Sequence, residues 1–227
     1  MSKRIIAIIM SAMFSFSIIG CGNDSKKQGE INTRTITEEK YDELEGAWAK
    51  DLTINELRDK YNELLGLVEA KTIEYGLEYS NEETVKEENE ETVSDTHMYL
   101  DNEKLEKNNL ESLYFGIKTY GSEITTGQIT MKLSLNLDGE DNLTDENFNF
   151  GDTYLASYSS LFTGEVDRDF SDINSKILEI LKSDSQEGII SNSIDGLYEE
   201  FVVNKDYIVY KLETKKYDFK AADKARK

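Results

Sequence analysis

The sequence predicts an α+β domain, an antiparallel sheet with helices packed on one face. Three observations lead there. Ile129, Met131, Leu133, Leu135 and Leu137 alternate with Gln128, Thr130, Lys132, Ser134 and Asn136, the pattern of a strand with one dry and one wet face. Leu57, Tyr61, Leu64, Leu65 and Val68 recur at helical spacing behind a start signal at Thr53. Helix-type and strand-type segments then follow in the same order twice, which raises the reading of two helix-plus-hairpin units whose strands share one sheet.

In chain order, Ser2-Lys3-Arg4 is a basic start and Ile5 to Ile19 is an uncharged, mostly apolar run. That run is short for a membrane span of about 20 residues and fits a secretory signal peptide. It closes on Ile18-Ile19-Gly20-Cys21, which resembles the lipobox of bacterial lipoproteins. The resemblance covers residues 1–24 only. It implies cleavage before Cys21 and a diacylglyceryl group on the Cys21 sulfur, the thiolate being the nucleophile. Two acyl chains suffice for stable anchoring. Residues 1–20 are therefore expected to be removed. Cys21 and the polar residues up to 40 form a lipidated tether, with a coil reach of roughly 25 Å. Gly22 follows the Cys, where an Asp would have suggested inner-membrane retention.

Residues 41–227 make the domain, with candidate halves at 41–138 and 139–227. Tyr41, Leu44 and Trp48 are spaced for a short amphipathic helix, with Trp48 docked on the core or set at an interface. Thr53 and Glu56 have capping-box spacing, and Leu52 and Leu57 have hydrophobic-staple spacing. Ile73, Tyr75, Leu77 and Tyr79 alternate with polar residues and read as a strand, although Gly76 equally suits a helix cap. Residues 80–96 are acidic and of low complexity, which suggests an exposed loop or a solvated helix extension. A helical turn is expected within 102–112, then a strand over Leu113–Lys118. Gly121–Gly127 turns the chain into the strand ending at Leu137. Asp138 to Asp152 is a polar loop. Tyr154, Tyr158, Leu161 and Phe162 suit a helix, with a strand as the alternative, and a second capped helix begins at Phe170-Ser171-Asp172. Two strands follow at about 197–203 and 207–213. Asn109–Tyr114 echoes Ser193–Tyr198, and Asp51-Leu52-Thr53 echoes Asp169-Phe170-Ser171.

Composition limits the chemistry. The chain has 26 Lys and Arg against 46 Asp and Glu. Loss of Lys3 and Arg4 with the signal leaves 24 basic residues and a net charge of −22. Nucleic acid is not expected as a partner, because binding it needs clustered cations. Anionic headgroups repel the domain, so the lipid on Cys21 carries the membrane attachment. Cys21 is the only Cys and His97 the only His, which removes an intramolecular disulfide, a cysteine nucleophile and a His-rich or Cys-rich zinc site. His97 is expected at the surface or a strand edge beside the acidic segment. Asp138, Glu140, Asp141 and Asp145, with Asn142 and Glu146, make calcium the best ionic candidate, but the EF-hand offsets are not met. No other cofactor is implied.

The reading that follows is a non-catalytic, lipid-anchored binding protein on the extracytoplasmic side of the bacterial envelope. Its expected partner is an envelope or secreted protein, met through exposed strand edges or Tyr-rich strands. A cation- or small-ligand-binding lipoprotein and a carboxylate-dependent envelope hydrolase are the alternatives.

Overall fold

Thr53 starts the first helix as its spacing predicts. Its hydroxyl accepts from the Glu56 amide at 3.4 Å, and the Glu56 carboxylate accepts from the Thr53 amide at 2.9 Å. The computed structural model describes residues 44–102, 109–137 and 148–225, all within one compact unit. Helix α1 runs Ile54–Glu74 and stops where Tyr75 caps it and Gly76 turns left-handed at φ +68°. The strand expected over 72–79 is thus absent, since the helix runs to Glu74 and no strand begins before Ser80, and the alternative of a helix end at Gly76 is the one that forms. Burial there follows the helical period: Thr72 is buried while Ile73 is 63 % exposed. The Thr72 hydroxyl is held by the Val68 carbonyl and the Tyr158 hydroxyl, each at 2.8 Å.

The acidic segment is neither a loop nor a helix. It forms strand β1 (Ser80–Glu88) and the start of β2 (Glu91–Asp101), joined through Asn89 and Glu90, both at positive φ. Two such residues suit a tight hairpin turn. Strand β1 is solvated on both sides, so it has no apolar alternation to read. Its partner β2 carries the buried Met98 and Leu100 and recruits it through backbone pairing.

Strands β3 (Leu110–Tyr120) and β4 (Thr126–Asn136) complete a four-strand meander. A short 3-10 turn at Phe150–Asp152 leads into α2 (Tyr154–Thr163). Helix α3 (Ser171–Lys182) follows; the Asp169 carboxylate accepts from the Ser171 amide at 2.9 Å, and Phe170 itself contributes no side-chain cap. Strand β5 (Glu187–Ile194) was not anticipated. Strands β6 (Leu197–Asn204) and β7 (Tyr207–Glu213) lie where expected, and the chain continues through β8 (Tyr217–Asp218) into α4 (Phe219–Ala225).

All strands join one antiparallel sheet in the order β1-β2-β3-β4-β7-β6-β5, with β8 also on β4. The last strand of the first meander therefore pairs with the last strand of the second. The acidic segment forms the first hairpin of its meander.

The helices pack on one face. Tyr61 of α1 stacks on Phe115, and Phe162 of α2 meets the same ring edge-on. A Cβ on Gly127 of β4 would come within 2.9 Å of the Phe219 ring and 3.2 Å of Leu57, so only glycine lets α1 and α4 approach β4 so closely. Phe150 packs on Phe201 and Tyr210. Trp48 sits in a turn, not a helix, and is buried edge-on to Phe162. It is a core residue rather than an interfacial one. Its amide donates to the Asp195 carbonyl at 3.0 Å, and its carbonyl accepts from the Tyr217 hydroxyl at 2.7 Å. No described helix is long and apolar enough to cross a membrane.

Candidate protein-docking face

Each strand that points apolar residues at the helices points its alternate residues the other way. That second face carries no described helix. Backbone register places its side chains in rows. One row runs Tyr99, Tyr114, Lys132, Lys211, Glu200 and Ser191 from β2 to β5. The next runs His97, Gly116, Thr130, Glu213 and Tyr198. On the other side lie Val209, Val202 and Ile189.

The rows are tied by polar contacts. Asp95, only 6 % exposed, accepts from the Tyr114 hydroxyl at 2.8 Å; His97 Nδ1 lies 3.0 Å from the same oxygen, and Lys118 Nζ is 3.6 Å from the other. Gly116 makes the floor: a Cβ there would sit 2.5 Å from the Tyr114 hydroxyl and 2.8 Å from His97. The His97 and Tyr114 rings are 5.0 Å apart. Across the sheet, Gln128 donates to Glu213 at 2.8 Å, and Lys211 pairs with Glu213. The Tyr198 hydroxyl donates to Glu200 at 2.9 Å. Lys216 reaches over the Tyr120 ring at 3.8 Å.

Electrostatics follow from this crowding. Burial, then the Asp95 charge, holds the Tyr114 phenol well above its ordinary value. Burial raises Tyr120 in the same way, with Glu213 adding to it. Tyr198 is pushed up to about 12, mainly by burial, while the Ser191 hydroxyl works against the rise. Burial and then Lys211 lower the Lys132 amine.

The residues singled out in the sequence are scattered. Cys21 lies outside the described residues, as do the calcium candidates Asp138, Glu140, Asp141 and Asp145. His97 is not at a strand edge. It sits mid-way along β2, an inner strand, with a side chain 13 % exposed. Among the described residues no group of three or more His, Cys, Asp or Glu is placed to hold a metal ion.

The buried carboxylates are each engaged. Glu199, fully buried on the helix-covered face, receives Arg168 through two bonds of 2.6 and 2.7 Å and the Tyr210 hydroxyl at 2.7 Å. Burial opposes the Arg168 charge, but Glu199 overrides it and holds the guanidinium above its usual value. Beside this pair a cavity of about 310 Å³ opens between Lys71, Ser157, Ser160 and Phe170. Two carboxylates are held below the usual range, half-buried Glu88 by Lys86 and exposed Asp169 by the Ser171 amide. A general acid needs the opposite shift.

Lys132, Lys211 and Asp95 escaped the sequence reading. Lys132 falls on the wet side of the clearest strand, but its meeting with Lys211 depends on β4 pairing with β7, and no local pattern encodes that. No protein-family model, no curated protein and no solved structure matches this chain.

Proposed function

We propose that the chain is a lipid-anchored, extracytoplasmic binding protein of the bacterial envelope, and that the sheet face opposite the helices docks a protein partner. The observation that carries this reading is the make-up of that face. Tyr99, Tyr114, Tyr120 and Tyr198 share it with Lys118, Lys132 and Lys211; the tyrosines are of the type enriched at protein interfaces, where each supplies contact area and a polar tip. The β1 edge is a poorer candidate. Strand β1 carries Glu82, Glu83, Glu87 and Glu88, and charge on an edge discourages strand addition.

The anchor and the face are tested separately. Cys21→Ser should abolish lipid labelling and leave an unprocessed precursor on a gel; normal processing with continued membrane retention in that variant argues against the anchor. For the face, the tagged anchored chain is crosslinked in cells and captured. One dominant envelope protein is expected with the wild-type chain and is lost in Tyr99→Ala/Tyr120→Ala at unchanged circular dichroism. Recovery of the same protein by the double variant would count against docking on this face. A large melting shift with a small molecule or calcium, and no protein partner, would favour the ligand-binding alternative.

A further inference from the structure

Lys132 stands at the centre of the uncovered face. It pairs with Tyr114 on one side and with Lys211 on the other. Like charges directly opposite in adjacent strands are destabilising. Lys211 meets Glu213, and Lys118 lies near Asp95. Lys132 forms no hydrogen bond or ion pair among the described residues, although it is half-buried. A desolvated, unpaired ammonium costs free energy. The neighbouring wet positions of the same strand avoid that cost with Gln128, Thr130 and Ser134.

The surroundings suit a charge pair shielded from water. Tyr99 and Tyr114 flank Lys132 on one side; Glu200 and Ser191 lie beyond Lys211 on the other, with Val209, Val202 and Ile189 in the next row. Interface hot spots have this form, a polar anchor ringed by contacts that exclude solvent. The unpaired cation is also set in a chain whose net charge is −20, so it runs against the overall composition.

Resting on the docking reading above, we propose that the partner protein inserts one Asp or Glu side chain between Lys132 and Lys211, its carboxylate bridging the two ammonium groups. A single carboxylate relieves the like-charge contact with one negative charge. A phosphate-rich polymer or anionic lipid surface brings many such charges against Asp95, Glu200 and Glu213 on the same face, and is disfavoured for that reason.

The test uses the full anchored chain on washed membranes, treated with a carbodiimide that joins an amine only to a carboxylate in contact with it. An isopeptide bond from Lys132 or Lys211 to one Asp or Glu of another protein is expected. Lys132→Met should lower the yield at Lys211 by about tenfold or more, and Lys132→Arg should keep it near wild type. Bonds at Lys211 and Lys118 that persist in Lys132→Met overturn the carboxylate bridge and leave the docking face standing. Bonds confined to Lys176 and Lys182 on the helix side overturn both. Absence of any interprotein bond overturns the bridge. So does Lys132-dependent binding to phosphatidylglycerol vesicles without such bonds, which would identify an anionic headgroup instead.

Discussion

Lys132 and Glu199 show how differently a half-buried and a buried charge are treated in one sheet. Glu199 has Arg168, Tyr210 and Asn192 around it, whereas Lys132 faces Lys211 without an acceptor of its own. Removing the charge should therefore have opposite effects. Lys132→Met is expected to stabilise the domain by about 1 kcal/mol in urea titration, since it deletes a desolvated like-charge contact. Glu199→Gln should cost about 3–5 kcal/mol, because it strands the Arg168 guanidinium. Adding Arg168→Met to Glu199→Gln should restore part of that loss, as a double-mutant cycle would show. A wild-type midpoint for Glu199→Gln would contradict the role given to the pair. None of these partnerships was legible in sequence. Arg168 and Glu199 are 31 residues apart and meet only once α2, its following loop and β6 have packed.

At the scale of elements, legibility tracked burial contrast. Strands β4, β6 and β7 and the starts of α1 and α3 were readable because each sets a dry side against a wet one or carries a capping signal. Strand β1 was not, having no dry side at all. The end of α1 stays open in the sequence between a strand and a helix cap at Gly76, because Ile73, Tyr75 and Tyr79 favour strands locally; tertiary contacts of Thr72 and Tyr75 with α2 keep the helix going. Two measurements follow. Thr53→Ala should destabilise the domain by about 1 kcal/mol through loss of the capping box, read from the urea midpoint. Amide exchange should be fast along β1 and slowest in β3, β4 and β7, where both neighbours are paired. Protection in β1 equal to that in β4 would mean that the edge is covered.

For the whole molecule, two helix-then-meander segments meet at β4 and β7. The doubled order of elements was visible in the sequence, but the pairing that fuses them was not, because register between distant strands has no local signature. The composition also sets a property of the entire fold. Tyr61, Tyr114, Tyr120, Tyr158, Tyr198, Tyr210 and Tyr217 all have phenols raised by burial, with Tyr158 and Tyr198 pushed up to about 12. A raised phenol binds its proton more tightly in the folded than in the unfolded chain. Its stabilising contribution is thus complete below the unfolded value of about 10 and is lost as pH rises through the folded value. Stability should fall steeply above pH ~10, and phenolate absorbance should appear together with loss of circular dichroism. Phenolate formation well before unfolding would show the tyrosines to be less buried than described.

The docking face is the centre of this account, and one scan tests it most directly. A photo-reactive amino acid is placed in turn at Tyr99, Lys118 and Ser191 on the sheet face and at Leu67, Lys176 and Glu179 on the helix side of the anchored chain in living cells. A crosslink to one protein is expected from the sheet-face positions and none from the helix side. Crosslinks to one protein from the helix side alone would contradict it.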